Sequence, residues 1–270
     1  MATFLWQGER LAYDELGDGD GPPVVLLHGF GVCRRFWDGV TPALAARGRV
    51  LALDWIGYGE SSRPGRGLGL EGHGAVLNGF LAAVVGRPCD LVGHSMGASI
   101  AALAASAHPE RIERLVLCDP LIRAADGLYP RSRWLVSPWL RPVVKRLLGL
   151  RLFVLWFTSN STDTLPIPEP LIAAALTADR EVMMRDALDL ARLDLTDALA
   201  RLAMPVLLVG ADRDAVVRPQ QTDLGAARIQ DVTVARFSCG HCPPLERPQA
   251  FTARLASFLD AAVPARHVVS

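Results

Sequence analysis

The pentapeptide Gly93-His94-Ser95-Met96-Gly97 constrains this chain of 270 residues more than any other feature. The apolar pair Leu91-Val92 leads into it, and Ala98-Ser99-Ile100-Ala101-Ala102-Leu103-Ala104-Ala105 follows as a stretch with the character of a buried helix. Strand, Gly-x-Ser-x-Gly and helix in that order form a nucleophile elbow. The turn is tight enough to force Ser95 toward positive φ. Gly93 and Gly97 are small because neighbouring backbone passes where their side chains would stand. Such a turn lifts the serine hydroxyl clear of the sheet. It also aims the helix N-terminus, with the Met96 N–H, at whatever the serine attacks.

The remainder of the chain alternates strand and helix around this point. Phe4–Trp6 and Arg10–Glu15 flank a turn at Gln7-Gly8-Glu9, and Asp18 to Pro23 is a turn cluster. The runs Val24–Leu27, Val50–Leu53, Leu115–Cys118 and Val206–Val209 are continuously apolar, as strands buried on both faces are. Helices are expected over 36–46, 73–86 and 248–262, and Val232–Phe237 as the last strand. This alternation predicts an α/β fold, a mostly parallel sheet with right-handed crossovers and helices on both faces. From Leu121 to Leu202 the pattern changes to helical stretches rich in Trp, Leu and Arg. The expected organisation is therefore a core of residues 1–120 and 203–270 with a helical cap, 121–202, inserted after the sixth strand. The tail from Pro264 is expected to fray.

Composition excludes several classes. Lys and Arg number 28 and Asp and Glu 28, so no global field draws the chain to nucleic acid. Five scattered cysteines fit reduced thiols in a cytoplasm better than a disulfide framework. No basic-then-apolar leader is visible at the start, and no uncharged apolar run approaches the ~20 residues that span a bilayer. Cys239 and Cys242 have a C-x-x-C spacing, but further ligands at zinc-like spacing are missing from the sequence, so packing thiols are expected. Neither a metal nor a cofactor is implied. Gly57-Tyr58-Gly59 is a strand-edge turn and not a dinucleotide fingerprint.

The polar candidates all fall just after strands, on the edge where open parallel sheets bind ligands. His28-Gly29-Phe30-Gly31, the elbow at Ser95, Gly210-Ala211-Asp212-Arg213-Asp214 and the stretch from Gly240-His241 to Arg247-Pro248 together resemble the capped α/β-hydrolase superfamily, serine-nucleophile branch. The order nucleophile, acid, histidine is the one that superfamily uses. The resemblance implies Ser95 as nucleophile and His241, in Gly-His-x-Pro-x-x-Glu, as its base. Counted from Pro205 it implies Asp214 as the acid that orients the imidazole. Because Arg213 occupies the place three after Gly210, Asp212 remains open as the acid, and Asp119 at an earlier strand end is a third option. It further implies an oxyanion hole of the Met96 and Phe30 N–H groups. The other histidines are assigned structural places: His28 bracing the oxyanion loop, His94 packing the elbow, His73 and His108 in or at helices, His267 in the tail.

The inserted segment bears on substrate. From 121 to 158 it carries seven basic residues against one acidic, and from 159 to 200 eight acidic against three basic. Trp134, Trp139, Phe153, Trp156 and Phe157 are candidates to line an apolar acyl or aryl pocket above Ser95. The basic, aromatic half also fits contact with an anionic membrane surface, and the charge separation would equally arise if the two halves pair. The expected activity is serine hydrolysis of a carboxylic ester, lactone or thioester with an apolar acyl or aryl part. Two alternatives use the same residues: a carbon–carbon bond hydrolase acting on a diketone-like substrate, and a small-molecule receptor with slow turnover.

Overall fold

The computed structural model of the chain describes residues 1–129, 138–164 and 166–261. Eight strands form one sheet: β1 Ala2–Trp6, β2 Glu9–Leu16, β3 Val24–Leu27, β4 Val50–Leu53, β5 Cys89–His94, β6 Ile112–Cys118, β7 Val206–Ala211 and β8 Val232–Phe237. Their order is β1-β2-β4-β3-β5-β6-β7-β8. The β1–β2 and β2–β4 pairings are antiparallel and the rest parallel. β5, which leads into the elbow, lies between β3 and β6 in the middle of the sheet.

The helices are α1 Thr41–Ala45, α2 Gly69–Phe80, α3 Met96–Ala107, α4 Ala124–Gly127, α5 Arg141–Leu147, α6 Arg151–Ser159, α7 Glu169–Thr177, α8 Arg180–Leu190, α9 Thr196–Ala200, α10 Gln220–Ala226, α11 Pro243–Glu246 and α12 Pro248–Asp260. Every residue of β3, β4 and β7 is buried, which explains their unbroken apolar runs. Alternate side chains divide between two cores. Leu27, Leu53, Leu91 and Leu117 pack with α2 and α3 on one face. Leu26, Val92, Val116 and Leu207 pack with Trp37, Phe251 and Leu255 on the other. At the edge, β8 loses this burial, and none of its residues is buried.

Two helix expectations are corrected. The stretch 36–46 is not one helix: a 3-10 turn covers Arg34–Trp37 and α1 begins only at Thr41. Pro42, lacking an N–H and fixed in φ, suits the first turn of a helix and not its interior. The second helix starts at Gly69, earlier than expected. Its last part, Leu81–Val85, widens into a π turn that Gly86 ends. Between β6 and β7 lie α4 to α9. In that stretch the only extended pairings among the described residues are isolated bridges, Arg123 with Asp194 and Leu128 with Val217.

Candidate active site

Ser95 sits between β5 and α3 with φ 52° and ψ −117°, a conformation that side-chain-bearing residues rarely adopt. The two flanking glycines permit it. A Cβ on Gly93 would stand 2.5 Å from the Gly97 carbonyl oxygen, and one on Gly97 would stand 2.5 Å from the carbonyl oxygens of both Leu27 and His28. Those are backbone atoms that cannot yield, so the small residues are a steric requirement of the turn. Its shape is held by the Ser95 N–H donating to the Cys118 carbonyl at 2.8 Å, and by Ser99 N–H donating to the Ser95 carbonyl at 3.0 Å.

Across the sheet edge, His241 Nε2 lies 2.9 Å from Ser95 Oγ and His241 Nδ1 lies 2.6 Å from Asp214 Oδ2. An ionised carboxylate only accepts, so Nδ1 carries the proton toward Asp214 and Nε2 is left to accept from the serine hydroxyl. The second oxygen of Asp214 accepts the N–H groups of Val216 at 2.7 Å and Val217 at 2.9 Å. Asp212, by contrast, is exposed and pairs with Arg236. Asp119 is buried at the end of β6 with φ +45°, and its Oδ1 accepts the Ala211 N–H at 2.7 Å. Burial, then the nearby Asp214 charge, hold its carboxyl well above the usual range. Burial works against a charged His241, but the charge and hydrogen bond of Asp214, with the Glu246 charge adding, outweigh it and raise its pKa.

The loop carrying His241 is itself anchored. The His241 N–H donates to the Ser161 carbonyl at 2.9 Å. The buried Glu246 carboxylate accepts N–H groups from Gly240 at 2.9 Å, Cys242 at 2.9 Å and Asp163 at 2.8 Å. His94 stacks on Phe36 and its Nε2–H donates to the His241 carbonyl at 2.8 Å. Burial, then the His241 charge, push the pKa of His94 down. His28 is held between the Gly29 carbonyl and the Trp55 N–H, and burial takes it down to about 4. Neither Glu246 nor Ser161 is singled out by the sequence. The signal for Glu246 was its fixed distance after Gly240-His241. That for Ser161 was absent, because a carbonyl contact leaves no mark on residue type.

Phe30 follows Gly29, where a Cβ would lie 3.2 Å from the Cβ of Ser95, and Met96 opens α3. Above Ser95 is a cavity of about 170 Å³ reaching Ser95, His94 and His241. Phe153 and Phe157 of α6 line it, together with Met183 and Met184 of α8, which the sequence reading did not pick out. Among the described residues, no Asp, Glu, Lys or Arg lines it. Two expected lining residues are corrected. Trp139 is 91% exposed, and Trp156 is half-exposed beside a separate surface groove, so neither borders the cavity. Trp134 lies outside the described residues. The two halves of the insertion do pair, Arg141 and Lys145 with Glu181 and Arg151 with Glu169.

All five cysteines are free, and burial, then Glu246, push the thiols of Cys239, to about 12, and Cys242 upward. Among the described residues no group of three or more His, Cys, Asp or Glu is arranged to hold a metal ion. None of their helices is long and apolar enough to cross a membrane.

The model of the alpha/beta hydrolase family matches residues 24–255, and the chain belongs to that family. It is 29% identical over 258 residues to a pimeloyl-[acyl-carrier protein] methyl ester esterase of Aeromonas hydrophila, covering 89% of this chain and 96% of that one. A pyrrolizixenacetamide deacetylase of Xenorhabdus hominickii is 28% identical over 250 residues, covering 90% of this chain and 92% of the relative. Among solved structures, a hydrolase from Pseudomonas aeruginosa superposes with a TM-score of 0.84 at 27% identity, covering 96% of this chain and 98% of that one.

Proposed function

We propose that this chain is a serine hydrolase that cleaves a carboxylic ester with an apolar acyl or aryl part. The observation that carries the reading is the unbroken relay from Asp214 through His241 to Ser95, at 2.6 and 2.9 Å, opening onto an apolar cavity. Ser95 Oγ attacks the ester carbonyl while its proton passes to His241 Nε2. Asp214 holds the imidazole in the tautomer that can take that proton and stabilises the cation formed. The Met96 and Phe30 N–H groups receive the developing oxyanion, each donor worth about 3 kcal/mol in the transition state. The same proton goes to the departing alkoxide, and the acyl group stays on Ser95. Water, deprotonated by His241, then releases the acid and returns the hydrogen to Ser95.

The helical insertion of residues 121–202 acts in this scheme as a cap, since α5, α6 and α8 supply cavity walls. Relatives named as a methyl ester esterase and a deacetylase support attack at an acyl carbonyl. A fluorophosphonate probe should label Ser95, and Ser95→Ala should abolish both labelling and turnover of p-nitrophenyl esters. Undiminished turnover in that variant would remove the mechanism. A panel that adds lactones and meta-cleavage-type diketones separates ester from carbon–carbon cleavage.

A further inference from the structure

The helices α5 and α6 carry apolar side chains both toward the cavity and toward the outside. Inward, Val144 and Leu148 with Phe153 and Phe157 border the cavity. Outward, Trp139 just before α5 is 91% exposed, Leu152 83% and Trp156 52%. Of ten large exposed apolar side chains among the described residues, six fall between Trp139 and Trp156. All six lie in one stretch of chain, 139–156. Such a concentration of exposed apolar side chains marks a surface with something to meet.

Charge identifies what that is. The stretch 138–157 holds Arg141, Lys145, Arg146 and Arg151 and no acidic residue. Arg141 and Lys145 share the single carboxylate of Glu181, and Arg151 takes Glu169 in a two-point pair at 2.6 and 2.7 Å. Four cations thus meet two carboxylates, and Arg146 is exposed. Indoles and leucines inside a cationic rim match a bilayer interface, where aromatic rings sit at headgroup depth and Lys and Arg meet anionic phosphates. A second copy seated two-fold on the same patch would set the excess positive charge against itself. We propose that the outer face of α5 and α6, with Trp139, docks on an anionic phospholipid surface. The cavity then lies one helix layer from the acyl chains. This holds whether or not the chain hydrolyses esters, because docking needs only the outer face.

Co-sedimentation with vesicles of phosphatidylcholine, with and without phosphatidylglycerol, tests it. The protein should bind the anionic vesicles, lose them as salt rises, and bind the neutral ones weakly. The double variant Trp139→Ser and Leu152→Ser should bind at least about tenfold less, since it removes the largest exposed apolar groups of the face. Its melting midpoint should match the wild type, and Arg146→Glu should weaken binding independently should the double variant misfold. Absence of binding to anionic vesicles, or binding that these substitutions leave unchanged, would overturn the proposal. So would a concentration-dependent dimer abolished by the double variant, which would make a second copy the occupant.

Discussion

The Glu246 carboxylate accepts the backbone N–H of Asp163 at 2.8 Å, and by that bond the inserted helices are fastened to the loop that holds His241. The same carboxylate grips Gly240 and Cys242 on either side of the imidazole. Glu246→Gln keeps the shape but replaces one acceptor oxygen with a donor, leaving buried N–H groups unmatched at about 1–3 kcal/mol. Turnover should fall roughly tenfold to a hundredfold through a displaced His241, with KM little changed. Equal losses in kcat and in binding would mean that Glu246 shapes the cavity instead.

Asp214→Asn should lower kcat by about three to four orders of magnitude, because the amide stabilises the wrong imidazole tautomer. Asp212→Asn, which removes only an exposed contact to Arg236, should be mild. The pH profile adds a signature. Burial opposes the His241 cation, and Asp214 more than compensates, so the pKa of His241 is raised above 6.5. Activity, which needs the neutral imidazole, should fall as pH drops through that raised value. Without the Asp214 charge the acid limb should move to lower pH. A larger loss at Asp212 would reassign the acid.

Asp119 gives a stability test. Its raised pKa means that the folded chain retains a proton which the unfolded chain releases above about 3.8. Stability due to this group therefore falls as pH rises from 3.8 toward the folded value. Asp119→Asn mimics the protonated carboxyl and keeps an oxygen for the Ala211 N–H. The variant should melt higher than the wild type at alkaline pH, with turnover largely retained. A loss of turnover as large as that of Asp214→Asn would make Asp119 the orienting acid.

The cavity predicts a chain-length profile. Each added methylene buried there is worth about 0.8 kcal/mol, or roughly fourfold in kcat/KM. Acetyl, butyryl and hexanoyl esters should climb and then level where the walls end. Phe157→Ala or Met184→Ala should move that limit while leaving the acetyl ester reactive. Trp139→Ala, outside the cavity, should leave the profile alone. A flat series in the wild type would sink the acyl-pocket reading.

Much of this was legible in the sequence because its causes are local. The elbow is written in Gly93 and Gly97, which must yield to backbone, and the buried strands in runs without a polar residue. The choice between Asp212 and Asp214 was not local: Asp214 meets His241 because it is buried beneath the Val216 and Val217 N–H groups, which depends on how the loop folds back. The aromatics of the insertion were harder still. The middle of α6, Leu152–Phe157, carries no polar residue to show which way Phe153, Trp156 and Phe157 turn. Met183 and Met184 escaped notice because a methionine pair on a helix has the same pattern whether it walls a cavity or fills a core.

Among the described residues, no lysine or arginine lines the chamber above Ser95. In the proposed reaction, cleavage there turns a neutral ester into an acid that ionises at neutral pH, and an anion gains nothing from apolar walls while forfeiting its hydration. The pocket that welcomes the substrate thus evicts the product, and released acid should be a poor inhibitor. Turnover would then be paced by acylation or deacylation of Ser95, with departure of the spent fragment the fast step.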